Sequence, residues 1–300
     1  MATIAEQLTS LANTKTAIKN AIVAKGVAVA DTDPFSAYAG KIGQISGGGG
    51  EVVDKVKYGV TIDDMLGNVD ENGVLSEATE SFALDFTGVK EIGYRGLRYA
   101  FTENKNVVSA DFGSLEHVGS EGLEGAFTAC TALKSINLSS LQSLGLRAMS
   151  SFANQSGLVG HLNLGSLRMV DGLGQAFQLC KGITSIDLSS VVEIANTSMT
   201  YTFGSCEALE SVDLSSLQKI GATAMNNAFS GCKKLAKMSF PALTSIESTS
   251  FGTSTSNGAF RNCTALTELH FRADMQATIE AMSQYANKWG ATNATIYFDL

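Results

Sequence analysis

A phenylalanine recurs along the last two thirds of the chain at nearly constant spacing. The seven positions are separated by 26, 25, 25, 26, 26 and 31 residues. Each opens a version of one phrase, clearest as AFTACTALKSINLSSLQSLG at 126–145 and TFGSCEALESVDLSSLQKIG at 202–221. A fixed period of about 20–50 residues indicates a solenoid, in which each unit buries its apolar side only by stacking on its neighbours. The positions are Phe101, Phe127, Phe152, Phe177, Phe203, Phe229 and Phe260.

Each repeat contains an alternation of apolar and polar residues that predicts a β-strand. In the repeat at 133–141, Ile136 and Leu138 alternate with Ser135 and Asn137. A period of two places apolar side chains on one face of a strand and polar ones on the other. In a stacked array such strands pair in parallel, one per repeat and about 4.8 Å apart. The pattern therefore predicts a parallel sheet along one side of the array.

The rest of each repeat returns the chain to the next strand. Leu141 and Leu144 are spaced to turn inward across a second side. Ala148 and Met149 then predict a short helical segment leading to Phe152 of the next unit. The predicted fold class is an α/β repeat solenoid with a parallel β-sheet on one face and a small helical module at the N-terminus.

Outward strand positions form two columns of polar residues. Aspartate and asparagine are depleted in strands, so their recurrence has a cause other than β-propensity. Two interpretations stay open: hydrogen bonds along the ladder that keep the sheet from associating, or a row of donors and acceptors for sugar hydroxyls or a protein partner. The candidate binding residues are Ser109, Ser135, His161, Ser185 and Ser211 in the first column and Asp85, Asp111, Asn137, Asn163, Asp187 and Asp213 in the second.

All five cysteines occupy the same repeat position, which predicts one buried column. A buried free cysteine behaves as a small hydrophobic side chain, so we expect no disulfide, metal or nucleophile among them. The chain contains no CxxC pair and its three histidines are far apart, so no zinc site is predicted. The cysteines are Cys130, Cys180, Cys206, Cys232 and Cys263.

The first 45 residues predict a helical module for attachment or oligomerisation. A second helix is signalled by Asp33 as N-cap and Pro34 at the first helical position. The two helices either pack on each other or the first forms a short parallel coiled coil, for example in a homotrimer. A glycine-rich linker follows at 46–50. The apolar stripe of the first helix is Ile4, Leu8, Leu11, Ile18 and Ile22.

Residues 51–80 predict a short strand and turn that cap the N-terminal edge of the array. Within them, Asn68, Asp70 and Asn72 match the opening of a calcium loop. Position 12 of such a loop would be Thr79 in place of glutamate. A polar β-turn is therefore the alternative interpretation.

The C-terminal end departs from the repeat in two ways. An insertion, TSTSNG at 253–258, lengthens the last repeat, and loops of this kind can carry specificity. Residues 273–300 then predict a cap made of one helix and a final strand, with Ile296, Phe298 and Leu300 pointing inward.

Composition and motifs limit the classes of function. A net charge of −8 and a pI near 5.0 argue against nucleic acid or an anionic membrane as the main partner. The sequence shows neither a membrane-spanning run nor a signal peptide pattern, so we expect a chain without membrane insertion. Glycine-rich phosphate loops, HExxH and Gly-x-Ser-x-Gly are missing, and every prominent aspartate belongs to a repeated column. We therefore expect a non-enzymatic protein without a cofactor.

The unit AFxxCxxLxSIxLSSLxxIGxxA resembles the BspA-type leucine-rich repeat, from about residue 80 to 272. Two units depart from it, with Gln155 and Asn104 in place of cysteine. The resemblance implies a right-handed leucine-rich-repeat solenoid at 81–272. It also implies recognition or adhesion roles, as in bacterial cell-surface proteins and phage or prophage products.

The first 75 residues are similar to N-terminal modules of phage tail and tail-fibre proteins. This resemblance favours a phage tail-associated adhesin or receptor-binding protein, located in the virion and assembled in the bacterial cytoplasm. Its partners would be a host-surface glycan or protein and, through residues 1–45, other virion proteins. The alternatives are a leucine-rich-repeat adhesin of the bacterial cell surface and an internal structural scaffold of a phage tail.

Overall fold

The computed structural model describes residues 81–300 and, before them, Ala30 alone. The predictions for the helical module, the linker and the N-terminal cap lie outside the described residues. So does the calcium-loop resemblance within that cap.

Residues 81–300 wind into about eight turns of parallel β-solenoid. In chain order the strands are β1 (Phe82–Asp85), β2 (Glu91–Ile92), β3 (Val107–Asp111), β4 (His117–Val118), β5 (Ser135–Asn137), β6 (Ser143–Leu144), β7 (Val159–Asn163), β8 (Met169–Val170), β9 (Gly182–Asp187), β10 (Glu193–Ile194), β11 (Ser211–Asp213), β12 (Lys219–Ile220), β13 (Lys237–Phe240), β14 (Ser245–Ile246), β15 (Glu268–Phe271) and β16 (Thr295–Phe298). Each turn up to β14 contributes a longer strand to one face and a two-residue strand to a second face, and the turn that begins with β15 lacks the short strand.

The strands of successive turns pair in parallel on both faces. The longer strands form three sheets, ordered β1-β3-β5, β7-β9-β11 and β13-β15-β16. The two-residue strands form β2-β4-β6 and β8-β10-β12-β14. In each short strand the second residue is buried and contributes to the core, as Leu144 does. The prediction of parallel strands is confirmed. The second side of each turn, for which the sequence predicted only inward-pointing leucines, also forms a strand face.

The third side of each turn is a track of tight turns and not the predicted helical segment. In the turn that ends at Cys130, a residue with positive φ recurs every fourth position: Glu121 at 55°, Gly125 at 62° and Ala129 at 58°. Alternate N–H groups bond to the carbonyl three residues back, and the others bond to the next turn, as Leu123 does to Ala148 at 2.8 Å. An α-helix needs N–H groups that all bond within the segment, so the helical prediction is wrong.

Phenylalanine rings form a continuous column inside the array. Phe177, Phe203 and Phe229 stack at centroid distances of 5.7 Å, with interplanar angles of 5° and 15°. Phe152 instead lies edge-on to Phe127 and to Phe177, at interplanar angles of 88° and 83°. All of these rings are fully buried. Parallel-offset and edge-on pairs are both favourable, so the column tolerates the rotated ring.

The edge-on orientation of the Phe152 ring is caused by the backbone position that Phe152 occupies. The N–H of Phe127 donates to the carbonyl of Phe152, and the N–H of Ala153 donates to that of Ala176, both at 2.7 Å. Phe152 therefore occupies the place of the alanine that precedes the phenylalanine in neighbouring turns. Ala153 takes the phenylalanine position, so the two residues are exchanged in this turn.

The exchange also moves the cysteine position of this turn. Ser156 occupies it: its N–H donates to the carbonyl of Ala153 at 3.0 Å, as each cysteine N–H does to the residue three before it. Its hydroxyl lies 3.3 Å from the sulfur of Cys180, and Ser156 is buried. Gln155 is exposed, with φ of 60°, at a turn position. The prediction that Gln155 replaces cysteine is wrong by one residue.

One turn is closed by a glycine with left-handed backbone. Gly172 has φ of 87° where the chain turns from β8 toward the third side. A Cβ at this position would lie 2.7 Å from the backbone nitrogens of both Arg147 and Ala148 in the preceding turn. A larger residue would therefore push two turns apart.

The five cysteines are free and buried, as predicted. Each thiol also lies 2.9–3.2 Å from a backbone carbonyl oxygen of the preceding turn, for example Cys206 from Phe177. The cysteine column therefore links turns by weak S–H donors in addition to filling the core.

The C-terminal end contains less helix than the sequence indicated. A 3-10 helix at Ala273–Met275 leads into α1 (Gln276–Glu280), and a second 3-10 helix covers Tyr285–Gly290. Trp289 is fully buried and fills the end of the core, which a straight helix would not allow. Ile296 and Phe298 of β16 are half-buried, but Leu300 is 46% exposed, so its predicted inward orientation is wrong.

The thiol column predicts a loss of stability in alkaline solution. Burial raises the pKa of Cys180 to about 11, above its value in the unfolded chain. A raised pKa stabilises the fold fully below the unfolded pKa of about 8.5, and this contribution is lost as the pH rises toward 11.

We expect Cys180→Ser to lose less unfolding free energy than the wild type between pH 8.5 and 10.5. The difference should approach about 1.4 kcal/mol for each pH unit above the unfolded pKa. Serine keeps a donor for the Ala153 carbonyl, as Ser156 shows that a hydroxyl fits this column. Urea titrations at stepped pH measure the difference, and identical pH slopes would contradict it.

Candidate recognition surface

The outward positions of the longer strands lie in register and form the strand face. Ser109 lies beside Ser135, and His161, Ser185 and Ser211 follow one another in the next sheet. The second column has the same order: Asp85, Asp111 and Asn137 in the first sheet, then Asn163, Asp187 and Asp213 in the second. The structure thus brings the candidate residues into two parallel rows.

The Asp/Asn row ends the strands. In all six residues Oδ1 accepts the backbone N–H two residues later, at 2.8–3.2 Å. This Asx turn explains a residue type that strands otherwise disfavour. In β13 the row continues with Ser239, and the residue two positions on is Pro241, which has no N–H to donate. The motif Asp/Asn-x-donor was the sequence signal for this role.

The same side chains also contact neighbouring turns. Asn137 donates through Nδ2 to Oδ1 of Asp111 at 2.8 Å. Asp187 lies against Gly165 of the preceding turn so closely that a Cβ there would be 2.6 Å from Oδ2. The Asx turns fix the side chains of the row, and a hydrogen bond between neighbouring members is formed between Asn137 and Asp111. Fixed side chains also lose little entropy when a ligand binds.

Local hydrogen bonds lower the pKa of one carboxyl in the row, that of Asp187. The pKa of Asp187 is lowered, first by its side-chain hydrogen bond with Ser189 and then by the backbone N–H of the same residue. The electrostatic interaction with His161 also lowers the pKa of Asp187. Asp187 is therefore an anion at neutral pH, and its second carboxylate oxygen remains available for a hydroxyl or amide donor.

The histidines of both faces pair with serines across strands. Nδ1 of His161 lies 2.8 Å from Oγ of Ser185, and Nδ1 of His117 lies 2.7 Å from Oγ of Ser143 on the second face. The same pair on two different faces is typical of cross-strand packing between neighbouring turns. The recurrence indicates a packing role for both pairs and not a nucleophilic one.

Ion pairs connect neighbouring turns both beside the strand face and on the second face. Glu207 bonds to Lys181 at 3.4 Å and to Lys233 at 2.9 Å, and Lys219 bonds to Glu193 at 2.8 Å. Such exposed pairs contribute little stability, but they leave a surface of mixed sign. The strand face thus offers hydroxyls, amides and isolated carboxylates, which suit a polar partner.

A buried carboxylate on the third side was missed by the sequence analysis. Glu124 is 3% exposed and accepts from Arg98 at 3.0 Å, from Arg147 at 2.6 Å and from the Tyr99 hydroxyl at 3.1 Å. Because every partner comes from another turn or from a position outside the repeat consensus, only a three-dimensional structure brings them together. Tyr94 beside this cluster is 64% exposed.

Residues 81–300 and Ala30 contain neither a metal-binding cluster nor a membrane-spanning helix. In this part of the chain no group of three or more His, Cys, Asp or Glu side chains could hold a metal ion. None of its helices has the length and apolarity needed to cross a bilayer.

The similarity to a known protein family lies in the centre of the array. Residues 173–257 match the profile of the BspA type leucine rich repeat region, in six copies. The central turns match this repeat. No curated protein sequence matches the chain. The leucine-rich, parallel-strand architecture is thus shown by the strand pairing and the repeat match together.

Solved leucine-rich-repeat proteins show limited similarity. A leucine-rich repeat protein from Bacteroides ovatus ATCC 8483 is 18% identical, with a TM-score of 0.31 over 69% of this chain and 63% of that one. A leucine rich cell surface protein from Faecalibacterium prausnitzii A2-165 is 13% identical, with a TM-score of 0.23 over 69% and 82%. The pneumococcal vaccine antigen PcpA is 14% identical, with a TM-score of 0.21 over 77% and 82%. The chain thus spans less than two thirds of the first protein.

The Asx turns predict different effects of two substitutions at one position. Asp187→Ala is expected to lower the free energy of unfolding by about 1 kcal/mol, because the N–H of Ser189 loses its acceptor. Asp187→Asn keeps that acceptor and should stay within a few tenths of a kilocalorie of the wild type. Urea unfolding at pH 7 measures both. Equal destabilisation would show that charge, and not the turn, is what Asp187 supplies.

Proposed function

We propose that this chain is a non-enzymatic adhesin or interaction module of a bacterial cell surface. It recognises a glycan or a protein through the strand face. The observation that carries the proposal is the register of the two rows, which repeats hydroxyls and Asx-turn acceptors from β1 to β11 at the spacing of the turns. Repeated, rigid polar groups suit a partner that is itself extended and polar.

The repeat type supports the absence of catalysis and the surface location. BspA-type repeats, matched at 173–257, are the repeats of bacterial cell-surface recognition proteins in the family resemblance described above. The candidate residues recur from turn to turn, whereas catalysis needs one unique arrangement of groups.

A second candidate is a phage tail protein in which the same strand face binds a receptor on the host bacterium. It is favoured by the resemblance of the first 75 residues to phage tail modules. Residues 1–45 would then attach the array to other virion proteins, for example as a homotrimer. Apart from Ala30 these residues lie outside the described part of the chain, so this function stays a prediction.

Two matched lysine substitutions test whether the strand face binds. Ser211 in β11 and Ser245 in β14 are both exposed and point outward, but from different faces. We expect Ser211→Lys to weaken binding of the labelled full chain to cells roughly tenfold, because a long charged side chain blocks the rows. Ser245→Lys should bind as the wild type does, with the same charge added.

Binding is measured on whole gut bacteria and on cultured epithelial cells. Periodate treatment of the cells removes binding if the ligand is a glycan, and protease treatment removes it if the ligand is a protein. Thermal unfolding of both variants should remain close to that of the wild type. Equal binding by the two variants on every cell type would reject the strand face as the recognition surface.

A further inference from the structure

The C-terminal end of the array holds a cleft that shares no residue with the strand face. Its volume is about 320 Å³, at the lower end of the roughly 300–1,000 Å³ found for ligand clefts. We propose that this cleft binds an acidic carbohydrate, a sugar of one or two rings with one carboxylate, and that Arg261 pairs with that carboxylate. The proposal does not rest on the function proposed for the strand face.

The insertion loop at 253–258 builds one wall. Asn257 organises the loop: its Oδ1 accepts the N–H groups of Thr253 at 2.9 Å and of Ser254 at 2.8 Å. The carbonyl of Ser256 accepts a hydrogen bond from Arg261 at 3.0 Å, which holds the guanidinium at the cleft. The residues that break the repeat period therefore position the only cation that lines the cleft.

The cap supplies a second wall through Gly290, which ends a strained segment. Lys288, Trp289 and Gly290 have φ of 47°, 51° and 93° in succession. Gly290 packs so tightly on the last turn of the array that a Cβ would lie 2.6 Å from Cα of Arg261. The carbonyl of Trp289 accepts the N–H of Phe260 at 3.1 Å. These backbone contacts between the last turn and the cap make the cleft rigid before any ligand binds.

The charge of the cleft differs from that of the chain. The whole protein has a net charge of −8, yet no carboxylate lines this cleft. Arg261 is exposed and forms no ion pair with any acid of the described residues, and its hydrogen bond to the carbonyl of Ser256 uses one guanidinium N–H. Four of its five donors thus remain, enough for a bidentate pair with a carboxylate.

Apart from Arg261, the lining of the cleft is neutral, so it favours a ligand with hydroxyls and a single anionic group. The side chains of Asn262, Thr264 and Asn293 line the cleft, are exposed and make no hydrogen bond within the described part of the chain. Amides and hydroxyls both donate and accept, which matches sugar hydroxyls. A phosphate is mainly an acceptor, whereas a sugar ring supplies several hydroxyl donors for their oxygens. One cation among neutral amides therefore points to a sugar carboxylate.

Titration of the full chain with methyl β-D-glucuronide tests the proposal. We expect saturable binding, with the neutral methyl β-D-glucoside, acetate and inorganic phosphate each binding at least tenfold more weakly. Arg261→Gln should weaken glucuronide binding roughly tenfold or more, because a charged hydrogen-bond pair is lost. The matched control is Arg168→Gln, which removes an exposed arginine outside the cleft and should leave binding unchanged.

Asn293→Ala provides a second variant that leaves Arg261 and its contact with Ser256 in place. It should weaken glucuronide binding several-fold without changing the melting temperature. Ser211→Lys on the strand face should bind glucuronide as the wild type does, so failure of either proposal can be told from failure of the other. Equal affinity for phosphate or acetate, or equal loss in the Arg261 and Arg168 variants, would overturn the assignment.

Discussion

Hydrogen bonds between successive turns hold the array together on all three of its sides. Two sides use parallel strand ladders, and the third uses alternate N–H groups of the turn track, such as that of Phe127 to the carbonyl of Phe152. A single turn leaves those groups without partners, and an unpaired buried N–H or carbonyl costs about 1–3 kcal/mol. The turns are therefore stable only as a stack, and every side chain must fit this spacing.

This constraint gives many polar residues a first role within the fold. Cysteine thiols contact carbonyls of the preceding turn, and Ser140 and Ser166 donate to carbonyls one turn back at 2.6 Å. The first role of the Asp/Asn row is to close Asx turns within the chain, and contact with a partner is a second role. Recognition on the strand face therefore uses the polar atoms that are not engaged within the fold. These are mainly one carboxylate or amide edge of each Asp or Asn and the hydroxyls of the neighbouring row. Those remaining groups are rigid because the fold holds the rest of each side chain.

Much of the repeat could be predicted because it depends on period and alternation. The stacked strands, the buried cysteines and the two outward rows follow from residues that recur in phase. The turn track could not be predicted, because residues such as Ala129 and Gln155 adopt positive φ only where the next turn supplies carbonyls. The exchange of Phe152 and Ala153 was missed for a related reason. Sequence spacing shows the ring but not the backbone position that carries it.

By itself the sequence determined the leucine-rich period and the residue types that face outward, because these are local and repeated. Only the tertiary structure decided how the non-repeating parts meet. The insertion loop, the last turn and the cap enclose the cleft around Arg261 with residues as far apart in the chain as Thr255 and Asn293. Arg98 and Arg147 reach Glu124 from different turns. A pattern in the sequence records which residues recur, whereas contacts between unlike segments depend on the path of the backbone between them.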